Sequence, residues 1–467
     1  MDGCLNFMPY VKFEKQLHSA VCCFVIQSWE IKAEESLAGE SIILLLGSYQ
    51  MTTGIYECVS EEALYKYAEL AVKVGVNLQK QQMLIIHSDI QNAPFARLIQ
   101  TAAYKAGASN VHIDWTDVQS AKEFFLHAPD RIIGYYPDWQ AARFKEWEEA
   151  DAAYIHIITE NTEMFKEVSA ERVARFQKAS RTKLRDYHNK VRSHEIRWCL
   201  LAVPSVDWAL KVFPNLRKEE AVKSLWTSIL KGARADGDFP VKDWKTHHAA
   251  FESRKNFLNE SQFESLHFKN SWGTDLHVGL PENHLYIGGG VSDKEDIPFF
   301  PNIPTEEVFT APHRNKVNGR LAGSRPLVYE GRVIDGFYLI FKNGRITDYY
   351  AAEGQEVLEH LIAADEGSHY LGEIALVSHT SPLAQEDTLF YNTLFDENTS
   401  CHIGIGHASP SNIQNGMNQS VKELKTAGLN TSLLSVNVTF GTGDMKVTGI
   451  NEDGNEILLM EEGEFQF

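Results

Sequence analysis

The chain is short of positive charge. Lys and Arg number 44 against 63 Asp and Glu, for a formal net charge of −19. So acidic a surface repels phosphate backbones and anionic headgroups, and neither nucleic acid nor membrane is expected as a partner. Cysteine is scarce too, with six in 467 residues, no C-x-x-C pair and no dense framework. Free thiols in a reducing, cytoplasmic setting are expected rather than a disulfide scaffold. No apolar run approaches the roughly 18 residues that cross a bilayer. Ala20 to Ile26 has neither a strongly basic leader nor a small-residue cleavage pattern, so it does not read as a signal peptide. No G-x-G-x-x-G follows the first predicted strand and no G-x-S-x-G is present, which removes the dinucleotide and nucleophile-elbow fingerprints.

What is there is globular. Hydrophobic residues make up 43% and charged residues 23%, and the length predicts two or three domains. Residues 1–55 stand apart as an atypical N-terminal extension with little periodicity. Ser41 to Gly47 could be a buried strand, and Met51 is a plausible start of the folded protein. Residues 56–258 read as an α/β domain with a parallel sheet. Ala63, Leu64, Tyr67, Leu70, Ala71 and Val74 share a helix face, Met83 to Ile86 is a strand, Ala93 to Ala106 a helix ended by Gly107, and Val111 to Trp115 the next strand. Tyr154 to Ile158 and Trp198 to Pro204 continue the strands. Ser169 to Arg192 reads as one long solvated helix, and Val222 to Leu230 belongs to another.

Residues 259–467 read as a strand-rich α+β domain. Its predicted strands are Leu266 to Phe268, Asp275 to Val278, Leu285 to Gly288, Ser432 to Thr439 and Met445 to Ile450. Gly336 to Phe341 and Arg345 to Tyr350 flank Asn343-Gly344, a hairpin signal. Gln355 to Ala364 is an amphipathic helix.

Chemistry concentrates between Leu371 and Ser409. Glu373 precedes an apolar strand, Glu397 follows a helix-like stretch from Phe390 to Phe395, and His402 enters a short apolar segment broken by Gly404 and Gly406. Carboxylate plus imidazole at element ends suits a divalent metal. The residue types alone leave a second reading, solvated or capping carboxylates beside a structural histidine. Cys401 reads as a small buried residue, and His247-His248 as a surface pair. Gly288-Gly289-Gly290 reads as a strand-ending turn.

Three strings carry a resemblance. They are Asn302 to Thr310 (NIPTEEVFT), Gly372 to Val377 (GEIALV), and Phe390 to Asn398 (FYNTLFDEN) with Cys401-His402. Together they resemble the aminopeptidase T / aminopeptidase S family of metalloaminopeptidases, over roughly residues 60 to 467. The resemblance implies a cytoplasmic homodimeric exopeptidase with an α/β N-terminal domain, a C-terminal catalytic domain and two divalent ions (Zn, Co, Mn or Mg). Position by position it implies Glu307, Glu373, Glu397 and His402 as ligands. Glu373 is then the bridging carboxylate and general base, and the peptide's free N-terminus is the group bound.

Three positions depart from the family pattern. Its tyrosine corresponds to Ser409, and its late His-x-Asp pair to Ser435 and Asn437. His407 is the last histidine of the chain. Support from around a ligand is worth about 10- to 100-fold, and losing two ligands themselves costs more. Losing a transition-state donor costs about 10²- to 10³-fold. The expectation is a metal-dependent aminopeptidase with impaired turnover, holding one ion or none where the family holds two. The alternative is a catalytically degenerate member acting as a dimeric binding or scaffold protein.

Overall fold

Met83–Asp89 pairs in parallel with Asn110–Thr116 on one side and Ala153–Ile158 on the other. Trp198–Ala202 and the two-residue strand Asn302–Ile303 extend the sheet, still in parallel. The molecule is a computed structural model that describes residues 54–160, 167–329 and 332–467. The predicted Ser41 to Gly47 strand and the proposed start at Met51 fall outside the described residues. Parallel pairing needs crossovers, and helices supply them. Glu61–Leu70 is capped by Ser60, whose hydroxyl accepts from the Ala63 N–H, and it buries Leu64, Tyr67 and Leu70. Ala93–Ala106 ends at Gly107, which takes φ 100°, a left-handed turn that glycine adopts without strain.

One expectation about helices changes, and one long helix was not foreseen. Ser169 to Arg192 is two helices, Ala170–Lys183 and Arg185–Arg192. Between them Leu184 leaves helical geometry and packs into a cluster with Tyr154 and Tyr187. The 22-residue helix Pro240–Ser261 was not legible, because the large apolar side chains it buries, Trp244, Phe251 and Leu258, are spaced seven apart among polar neighbours.

The rest of the chain is mostly antiparallel. Eight strands form one sheet, in the order Arg345–Tyr350, Tyr338–Lys342, Val317–Ala322, Asp275–Gly279, Ser265–Lys269, Lys446–Ile450, Glu456–Glu461 and Glu464–Phe465. Asn343 and Gly344 both take positive φ, as a two-residue hairpin requires. Leu285 to Gly288 is not a strand and makes one isolated bridge, Ile287 to Phe309. Asn259 holds Tyr286 at both its N–H and its carbonyl, and a Cβ on Gly288 would lie 2.2 Å from the Glu307 carbonyl oxygen.

A second, four-stranded sheet carries the site. Its order is Glu307–Thr310, Leu371–Val377, His402–Gly406 and Ser435–Thr439, all antiparallel. One face buries Val308, Ile374, Leu376, Ile403, Ile405 and Val438 in the core shared with the large sheet. Side chains alternate along a strand, so the intervening residues face the other way. The architecture is thus a parallel α/β layer plus a strand-rich α+β region.

Candidate metal centre

The register aligns Glu307 with Val377, Ala375 with His402, Glu373 with Gly404, and Gly404 with Asn437. Alternation therefore puts Glu307, Glu373, His402, Asn437 and Ser435 on one face of the sheet. Small residues, Ala375, Gly404 and Gly406, form the floor between them. A Cβ on Gly404 would stand 2.8 Å from Glu373 Cβ and 3.3 Å from Asn437 Oδ1. Glycine there keeps open a hollow that any side chain would fill.

His402 is fully buried, and its Nε2 lies 3.1 Å from Glu307 Oε2 and 3.3 Å from Glu373 Oε1. Its Nδ1–H donates to the Ser400 carbonyl at 3.2 Å. That contact fixes the ring and leaves Nε2 for the centre, the arrangement usual for a metal-bound histidine. Glu307, Glu373 and His402 each place a ligand atom within 4.8 Å of the other two. Glu307 Oε2 is buried without a well-formed hydrogen bond. A buried carboxylate oxygen in that state fits a cation. Glu397 arrives from the short helical turn Thr393–Asp396, and Asn437 Nδ2–H donates to its Oε2 at 3.3 Å.

The electrostatics ask for positive charge. Burial raises the Glu307 carboxyl, partly offset by His402. Burial, followed by the Glu307 charge, holds Glu397 well above the usual carboxylate range. Burial pulls the His402 imidazole down, but the Glu307 and Glu373 carboxylates beside it outweigh burial and hold the ring well above its ordinary value. The protonated imidazole thus does part of a cation's work. Basic side chains nearby are engaged elsewhere. Arg234 forms a bidentate pair with Glu306, and Arg325 donates to the Thr388 and Ala384 carbonyls.

Beside the centre is a cavity of about 460 Å³ that reaches it at Glu397 and Asn437. Leu327, Val328 and Tyr391 line its apolar side, and Ser435 also lies on its wall. The Ser409 hydroxyl lies 2.7 Å from Ser411 Oγ. His407 is exposed. Cys401 is buried, its thiol pushed up to about 11 by burial. His247 is not the surface residue expected. Its side chain is 8% exposed, with Nε2–H donating to the Thr305 carbonyl and its ring packed edge-on against Trp244 and Phe251. The supporting pair Glu306–Arg234 was also missed, and a second glutamate beside Glu307 was its only trace in the sequence.

An antiparallel sheet that presents buried carboxylates and an imidazole around a hollow, next to a cavity, has the make-up of a divalent-metal centre. The family model for thermophilic metalloprotease (M29) matches residues 60–465. The chain is 40% identical over 407 residues to "Aminopeptidase 2" of Geobacillus stearothermophilus, covering 87% of this chain and 98% of that one. It is 40% identical over 406 residues to "Aminopeptidase AmpS" of Bacillus subtilis, covering 87% and 99%. The solved structure of wild-type AmpT from Thermus thermophilus superposes with a TM-score of 0.78 at 35% identity, covering 87% and 99%. The chain belongs to the thermophilic metalloprotease (M29) family.

Proposed function

We propose that this chain is a metal-dependent aminopeptidase that removes N-terminal residues from peptides, with Glu307, Glu373, Glu397 and His402 holding its divalent cation. The observation that carries the proposal is the meeting of Glu307, Glu373 and His402 around the hollow left by Gly404. When bound, the cation supplies Lewis acidity toward the scissile carbonyl. The chain's own groups do the rest. Glu373 takes the proton of the attacking water and returns it to the leaving amine. Glu397 and Glu307 offer negative charge to the substrate's ammonium terminus, which favours cleavage at the chain end. Leu327, Val328 and Tyr391 take up the first side chain and exclude water.

Ser409, Ser435 and Asn437 supply no tyrosine, imidazole or carboxylate, so the reading includes slow turnover and a centre with fewer than its full set of ligands. Neither the fold nor the comparisons favour the binding-protein alternative. A homodimer in the cytoplasm belongs to the same reading. Among the described residues no helix is long and apolar enough to cross a membrane. The test is turnover of a leucyl anilide with zinc, cobalt or manganese, beside a Glu373→Ala control. Metal-dependent turnover that the control lacks supports the proposal; no turnover above the control with any metal refutes it.

A further inference from the structure

Among the described residues, one other group of side chains away from this centre has the chemistry of a metal site. It lies on the outer face of the eight-stranded sheet, where Ser265–Lys269 and Asp275–Gly279 run antiparallel. The register sets His267 directly opposite His277, and Lys269 opposite Asp275. Leu266, Phe268, Leu276 and Val278 alternate with these residues and fill the core. The pleat therefore turns His267, Asp275 and His277 outward together. The two imidazoles stack with centroids 3.8 Å apart and planes 13° from parallel. His267 Nε2–H donates to Asp275 Oδ1 at 2.7 Å. One ligand atom from each of the three lies within 4.8 Å of the other two, with His267 half-buried and the others exposed.

We propose that His267, Asp275 and His277 form a second, surface site for one divalent cation of the zinc, nickel or copper class. Two imidazoles and a carboxylate are a donor set that suits these ions and discriminates against magnesium and calcium, which take oxygen. Bonds of about 2.0–2.1 Å place the ligand atoms of a tetrahedral ion about 3.3 Å apart. His267 and Asp275 already meet more closely than that, so the cation replaces the proton they share and the pair opens slightly. The stacked rings hold their nitrogen lone pairs in parallel planes, so the exposed His277 ring must turn out of the stack as well as close by about 1.5 Å or less to share the ion. Lys269 Nζ sits 3.3 Å from Asp275 Oδ2. It holds the carboxylate's orientation and leaves Oδ1 as the single donor. Two strands of one hairpin carry all three ligands, so the backbone presets the geometry. Three protein ligands leave the fourth position open to solvent or to a donor from another molecule. The site shares no strand and no sheet with Glu307, Glu373 and His402.

The test is zinc chloride titrated calorimetrically into the full chain carrying Glu373→Gln, and into the same chain with His277→Asn or His267→Asn added. The expected result is one equivalent of zinc bound by the first protein and affinity at least about tenfold weaker in each of the others. Copper added to the first protein should give a paramagnetic resonance spectrum with nitrogen couplings that either histidine variant loses. Aminopeptidase turnover of the single variant His277→Asn should match the unaltered chain. Equal isotherms with and without His277 and His267 would overturn the proposal, as would no zinc uptake by the chain carrying Glu373→Gln. Two histidine positions are tested so that misfolding of one variant leaves the other decisive.

Discussion

Replacing Gly404 by alanine puts one methyl group into the floor of the metal centre. Its carbon would lie 2.8 Å from Glu373 Cβ and 3.3 Å from Asn437 Oδ1. Carbon atoms prefer a separation of about 3.5–4.0 Å, so the root of Glu373 must retreat by about 0.7 Å. A Cβ cannot rotate away, and the strand has to move with it. Such overpacking costs about 1–3 kcal/mol, while alanine instead of glycine in a strand returns about 0.5–1 kcal/mol. The metal-free protein should therefore lose between nothing and about 2.5 kcal/mol. The cation suffers more, because ligand distances must hold to within about 0.2 Å. Affinity should fall by about 10- to 100-fold, and the stabilisation conferred by saturating metal by about 1.4–2.7 kcal/mol. Urea unfolding of Gly404→Ala with and without zinc, beside direct titration of the metal, separates the two effects. A variant that keeps the full metal-dependent increment would show that the hollow over Gly404 is not where the ion sits.

His247 gives a pH signature. Burial, followed by the Arg234 charge, lowers its imidazole to about 3, well below the ordinary value of 6.5. A depressed folded value means stability that is present above pH 6.5 and drains away as the pH falls toward 3. Between pH 7.5 and 5.5 its share is about 1.4 kcal/mol, and His247→Gln should reduce the fall in unfolding free energy over this range by that amount in urea titrations. Arg234→Met strands the Glu306 carboxylate, which is 3% exposed, and should cost about 3–5 kcal/mol in thermal or urea unfolding. Adding Glu306→Gln to that variant should recover most of the loss. The triple change Ser409→Tyr, Ser435→His and Asn437→Asp should raise zinc affinity by about 10- to 100-fold and increase leucyl anilide turnover. Unchanged affinity would mean that the last strand does not face the ion.

Elements with strong local signals were legible. The Asn343-Gly344 hairpin and the helix ended by Gly107 are written in residues that adopt positive φ where few others can. The parallel strands near Met83, Val111 and Tyr154 announce themselves as short apolar runs. Elements held by distant partners were not legible. Leu184 breaks a helix because a pocket formed by Tyr154 and Tyr187 receives it, and nothing in its neighbours says so. Pro240–Ser261 hides behind a stripe one residue in seven. His247 looked like half of a surface pair because its cover, Trp244 and Phe251, follows from how that helix lies. At the centre, Glu373, Glu397 and His402 stand out as carboxylates and an imidazole at element ends, and Glu307 is reached only through the resemblance. The Gly404 floor and the Ser400 carbonyl behind His402 needed the strand register.

The segment that carries Glu397 has a double allegiance. Leu383, Phe390, Leu394 and Phe395 belong to the core of the parallel α/β layer, with Trp208 donating to the Phe390 carbonyl and packing edge-on against Phe395. Glu307, Glu373 and His402 stand on a sheet whose other face belongs to the second core. A cation gripped by Glu397 on one side and His402 on the other would act as a rivet between the two halves. Drawn out by a chelator, it should lower the melting temperature of both; seated, it should raise it.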